Sequence, residues 1–104
     1  MAWVLLFLAG ILEVVWAFYM KQSVGFTKLA PSIITIITMM ASFILLSIAM
    51  KSLPLGTAYV IWTGIGAVGT FLLGLFFLGE PINAMRIIAA ILIVLGLMMM
   101  KLAS

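Results

Sequence analysis

Four long apolar runs, separated by short polar connectors, constrain this chain more than any other feature. Ala2 to Met20 is interrupted only by Glu13, Leu29 to Met50 by no charge, Ser52 to Gly79 by none, and Ile82 to Met100 only by Arg86. A membrane-crossing helix needs about 20 mostly apolar residues at a rise of 1.5 Å each. The runs are continuous rather than alternating, and too long for barrel strands, which excludes a transmembrane β-barrel. The expected fold class is therefore an all-α membrane protein with four transmembrane helices, at about 2–20, 30–50, 57–78 and 84–102, forming one domain over residues 1–104. The first run lacks the basic flank of a signal peptide, and no secreted domain follows it.

Composition removes the water-soluble alternatives. Of 104 residues, 68% are hydrophobic and 7% are charged. Soluble domains carry about 25% charged residues. The chain has no Cys and no His, so disulfides, thiolate metal sites and imidazole bases are all absent. No metal site or cofactor is expected. The net charge of +3 is spread along the chain without a basic cluster, which argues against a nucleic-acid partner. The partner implied by the apolar runs is the lipid bilayer.

The connectors carry ordinary punctuation. Gly25 and Pro31 lie between the first two runs, Lys51, Pro54 and Gly56 between the next two, and Gly79-Glu80-Pro81 ends the third. Asn83 stands where the last helix needs an N-cap. An even number of spans puts both termini on one side, with Lys51 and Lys101. The opposite side holds Lys21, Lys28 and Arg86. The positive-inside rule orients a chain by Lys/Arg bias, and a tally of two against three supplies almost none. Either one orientation wins narrowly, or the chain inserts both ways up and pairs with an inverted copy of itself.

Glu13 is the chemical centre of the sequence. A charge near the middle of a span costs at least about 2.5–3.5 kcal/mol on insertion scales, so an intramembrane acid marks a functional site by default. The span interiors offer it no basic partner. Removal from water favours the neutral form of a carboxyl group. A carboxylate that can hold either a proton or a cation, but not both, exchanges one for the other. Helical spacing puts Gly10, Glu13, Trp16 and Ala17 on one face, and Tyr59, Trp62, Thr63 and Gly66 on another. Met39 and Ser42 lie together on the second span, one turn after Thr35 and Thr38. An acid among Trp, Tyr and Ser suits a small organic cation, through aromatic faces and oriented hydroxyls. Trp16, one turn from the acid, narrows the space to a flat group such as guanidinium.

Other features are weaker. Gly64-Ile65-Gly66-Ala67-Val68-Gly69 spells a dinucleotide-binding motif, but it lies inside a span rather than between a strand and a helix. Gly64 and Gly66 mark either a hinge or close packing, and Gly66, Thr70 and Gly74 form a ridge of small residues. Ala89 or Ala90, Ile93 and Gly96 form a contact face on the last span. Trp3 reads as an interface anchor, and Lys21, Lys28, Lys51, Arg86 and Lys101 as charges near helix ends.

Several segments together resemble the small multidrug resistance family from end to end. They are Gly10-Ile11-Leu12-Glu13-Val14-Val15-Trp16-Ala17, Gly25-Phe26-Thr27-Lys28, Pro31-Ser32, and Pro54-Leu55-Gly56-Thr57-Ala58-Tyr59-Val60-Ile61-Trp62-Thr63-Gly64-Ile65-Gly66. Trp16 and Met39 resemble the guanidinium-exporter branch; the drug-exporter branch usually has a small residue and a Tyr at those two places. The resemblance implies an antiparallel, dual-topology homodimer in the bacterial plasma (inner) membrane that exchanges protons for guanidinium and small substituted guanidinium ions by alternating access. It implies that Glu13 of both subunits is the shared proton and substrate site. It further implies that Ser42 and Trp62 hydrogen-bond to that carboxylate and that Trp16 completes the stack. Tyr59 would line the site, with Gly10, Met39 and Thr63 around the pocket. Gly64 to Gly66 would flex, and the last span, with Ala90, Ile93 and Gly96, would make the dimer contact. The competing readings are a quaternary-ammonium exporter of the same fold and a non-transporting subunit of a heterodimeric membrane complex. An enzyme is not expected, because nothing beside Glu13 supplies a nucleophile, metal or phosphate cradle.

Overall fold

The structure is a computed structural model and describes residues 1–103. It contains four helices: α1 (Ala2–Gln22), α2 (Leu29–Ala49), α3 (Leu55–Phe77) and α4 (Ala84–Leu102). Each is long and apolar enough to cross a membrane. Relative to the expected spans, α1 ends two residues later and α3 begins two residues earlier.

The helices begin and end for local reasons. After α1, the buried Ser23 organises the turn: its Oγ donates to the Met20 carbonyl at 2.7 Å and accepts from the Phe26 amide at 3.1 Å. The chain then reverses through three left-handed residues, Val24 (φ 50°), Gly25 (φ 70°) and Phe26 (φ 65°). A β-branched residue rarely adopts that conformation, so the Ser23 bonds hold a turn that Val24 alone would avoid. Pro31 falls in the first turn of α2, where no intrahelical N–H is needed. Gly79 (φ 67°) stops α3, and Glu80 N–H returns to the Gly74 carbonyl at 3.0 Å. Asn83 caps α4, accepting the Arg86 amide at 2.9 Å.

α1 packs on both α2 and α3, α2 and α3 also touch each other, and α4 packs on α3. The molecule is a slab of 40 × 35 × 16 Å. Its thin dimension is less than half of either other one. The core is correspondingly small: Leu6 and Ala9 of α1, Leu46 and Ala49 of α2, and Ala58, Ile61 and Trp62 of α3. Alanines at three of these places let the backbones approach closely. No residue of α4 is buried among those described.

Candidate functional site

Glu13 projects from α1 onto the backbone of α3. Its carboxylate occupies the space that a side chain at Gly66 would need; a Cβ there would overlap Oε1. The same helix pair interlocks at two more glycines. Ile65 of α3 fills the space at Gly10, and Val14 of α1 fills the space at Gly69. Gly64 receives Leu97 of α4 instead. Close packing therefore accounts for Gly64 and Gly66 in this conformation, and α3 runs unbroken through both.

Glu13 Oε1 is buried without a hydrogen-bond partner. Among the described residues the one ion pair is Arg86–Glu80, at 2.8 Å, so no cation neutralises Glu13. Trp16 Nε1 is likewise buried without an acceptor. One acceptor and one donor on adjacent turns of the same helix are both unsatisfied. Buried groups of this kind cost about 1–3 kcal/mol each unless something binds them.

Next to them lies a satisfied polar chain. Trp62 Nε1 donates to Ser42 Oγ at 3.0 Å, and Ser42 Oγ donates to the Ala9 carbonyl at 2.7 Å. Ser42 is fully buried and Trp62 is 6% exposed. Each group has a single proton. With both committed, neither Ser42 nor Trp62 donates to Glu13 in this chain, contrary to what the resemblance implied. The reason is geometric: Ala9 lies one turn before Glu13 on α1 and presents its carbonyl to Ser42 first.

An aromatic row continues from this chain. Trp16 meets Phe43 edge-on with centroids 6.4 Å apart, Phe43 meets Trp62 at 5.8 Å, and Trp62 meets Tyr59 at 5.6 Å. Phe43 was missed by the sequence reading. Its only signal is position, next to Ser42 and one turn after Met39. Met39 itself is half-buried on α2.

The third-span face expected from spacing is divided. Trp62 and Gly66 are buried toward α1 and α2, whereas Tyr59 and Thr63 are exposed and line a groove of about 500 Å³ shared with Ile93 and Gly96 of α4. Thr63 is thus turned toward α4 rather than toward Glu13. Residues 62 and 63 are about 100° apart on a helix, an arc too wide for both to face one neighbour. Ala90 is half-buried; Ile93 is exposed, and a Cβ on Gly96 would meet nothing within 4 Å.

The family model described as Small Multidrug Resistance protein matches residues 1–102. The chain belongs to the small multidrug resistance family. It is 57% identical over 104 residues to the guanidinium exporter of Yersinia pseudotuberculosis and 55% identical to that of Proteus vulgaris, in each case covering 100% of both chains. It is 53% identical to the guanidinium exporter of Escherichia coli K12, covering 100% of this chain and 99% of the relative. As a small multidrug resistance protein with four such helices, it is a multi-pass membrane protein.

Proposed function

We propose that this chain is a proton-coupled antiporter that exports guanidinium and small substituted guanidinium ions. The observation that carries the reading is the buried, unpartnered Glu13 oxygen, in a chain whose full-length relatives are named guanidinium exporters. A guanidinium ion is planar and donates two parallel N–H bonds to a carboxylate. A proton on Glu13 occupies the same oxygens. Binding the cation therefore expels the proton, and protonation expels the cation. Nothing is made or broken in the substrate, so the activity is transport and not catalysis.

The working unit is an antiparallel homodimer in the bacterial plasma membrane, alternating its access between the two sides. Three features support this. The single chain is a thin slab with two wide faces. Its α4 packs on α3 alone, and none of its described residues, Ala90, Ile93 and Gly96 among them, is fully buried by its own chain. Its Lys/Arg distribution favours neither orientation. In that dimer Glu13 of both protomers forms the shared site. Trp16 closes it around flat ions, and Tyr59, Ser42 and Trp62 form its wall, with Met39 beside it; Gly10 packs on Ile65 and Thr63 turns toward α4 within each chain. Movement of α3 about Gly64 and Gly66 couples the halves.

Proton release on adding guanidinium to the purified protein in weakly buffered detergent tests substrate and coupling together, with counter-transport in liposomes as its complement. Guanidinium is expected to release protons and to move against a proton gradient. Movement of a bulky aromatic or tetraalkyl cation, with none of guanidinium, would assign the chain to drug export. Silence toward every cation would favour a non-transporting subunit.

A further inference from the structure

Two cations of this chain lie over aromatic rings, one at each end of α4. Arg86 sits 5.3 Å from the Phe71 centroid, and Lys101 sits 5.4 Å from the Trp3 centroid. The two contacts differ in what neutralises them. Arg86 is paired with Glu80 at 2.8 Å. Lys101 has no ion-pair partner among the described residues, and the side of the molecule it shares with Lys51 carries no Asp or Glu at all. A ring face attracts an ammonium electrostatically, but it leaves the N–H donors of Lys101 available to an anion. Trp3 adds an indole N–H donor.

An apolar groove opens beside this pair. It has a volume of about 250 Å³ and is lined by Phe7 of α1, Ile65 of α3, and Leu97 and Met98 of α4, with Trp3 and Lys101 at its mouth. The polar residues mark the end that reaches the membrane interface, and the apolar ones run inward from it. Where such a groove faces the bilayer rather than protein, an acyl chain fills it, because an empty one forfeits dispersion contacts along its walls. Any lipid supplies a tail. Lys101, with no ion-pair partner among the described residues, selects among headgroups.

We propose that Trp3, Lys101 and the groove between α1, α3 and α4 form a binding site for an anionic glycerophospholipid. The headgroup phosphate lies on the Lys101 ammonium and the Trp3 indole N–H, and one acyl chain occupies the groove. The site is separate from Glu13 and does not depend on what the chain transports.

Native mass spectrometry of the full-length protein in detergent tests it. The protein is titrated with phosphatidylglycerol and with phosphatidylcholine bearing the same acyl chains. Phosphatidylglycerol is expected to be retained about five-fold more strongly, the contribution of one basic side chain near a membrane surface. Lys101→Gln should erase that preference, and Lys101→Arg should keep it. Lys51→Gln should leave it intact. Met98→Trp, which narrows the groove without altering charge, should reduce retention of both lipids and preserve their ratio. Equal retention of the two lipids by the unaltered protein would overturn the proposal. So would a preference that survives Lys101→Gln, or one that Lys51→Gln removes equally, since that is diffuse surface charge. If Met98→Trp shifts the monomer–dimer distribution and leaves lipid retention unchanged, the groove belongs to a second copy of the chain, and the proposal falls.

Discussion

Glu13 and Glu80 each rest against a glycine of α3, the first on Gly66 and the second on Gly74. Little else about them agrees. Glu80 leaves a loop just after the left-handed Gly79, and its exposed side chain meets Arg86 at 2.8 Å. Glu13 leaves the middle of a helix, has no cation, and buries one oxygen without a donor. Glu80 lies partly exposed at the end of α3 with a cation beside it. Glu13 is held against a helix backbone inside a span, and no described group donates to its buried oxygen. The contrast shows that tether and surroundings, more than residue type, set the two acids of this chain apart.

Substitution at the two acids should separate them most widely. Glu13→Gln keeps volume and removes titration, so guanidinium-driven proton release should vanish while the purified protein keeps its helical content and oligomeric mass. Glu80→Gln should leave proton release close to that of the unaltered protein. If the two variants are equally silent in the same assay, the comparison is broken.

The supporting glycines should differ next. Gly66→Ala forces a methyl group into the Glu13 carboxylate between two packed helices, an overpacking cost of about 1–3 kcal/mol. At Gly74 the added Cβ would come within 2.7 Å of the Glu80 carboxyl carbon. That is the far end of a flexible loop side chain, which can swing aside, and Ala is favoured over Gly in a helix by about 1 kcal/mol. Gly74→Ala should therefore be neutral or stabilising. Denaturant titration in detergent measures both. Ser42→Ala should follow, costing about 1–3 kcal/mol by leaving the buried Trp62 N–H without its acceptor, with a change in tryptophan emission as a second readout. Arg86→Gln should have the smallest effect, at most about 1 kcal/mol, shrinking further as salt is raised. A larger, salt-insensitive loss would mean that the Glu80 end is as tightly built as the Glu13 end.

Much of the architecture could be read from one dimension. Four apolar runs of helical length dictate four spanning helices, because each backbone polar group in lipid must be bonded within its own segment. The isolation of Glu13 is also a matter of counting, since no Lys, Arg or His lies in the span interiors. The Asn83 cap follows from a local preference. The site was less legible. Spacing grouped Tyr59, Trp62, Thr63 and Gly66, but it could not say which part of that arc meets α1 and which meets α4. Phe43 carried no chemical signal of its own, yet its ring lies between those of Trp16 and Trp62. The hydroxyl of Ser42 was expected on Glu13 and is instead spent on Ala9.

Sequence by itself determined the solvent, the number of spans and the single acid stranded within them, because hydropathy and charge are additive along a chain. Only the tertiary structure decided that Gly66 seats the carboxylate, that Ser42 answers to Ala9 and Trp62, and that Lys101 stands over Trp3. Those outcomes depend on which faces of neighbouring helices meet and at what rotation, and a helix apolar on nearly every side leaves that choice to packing.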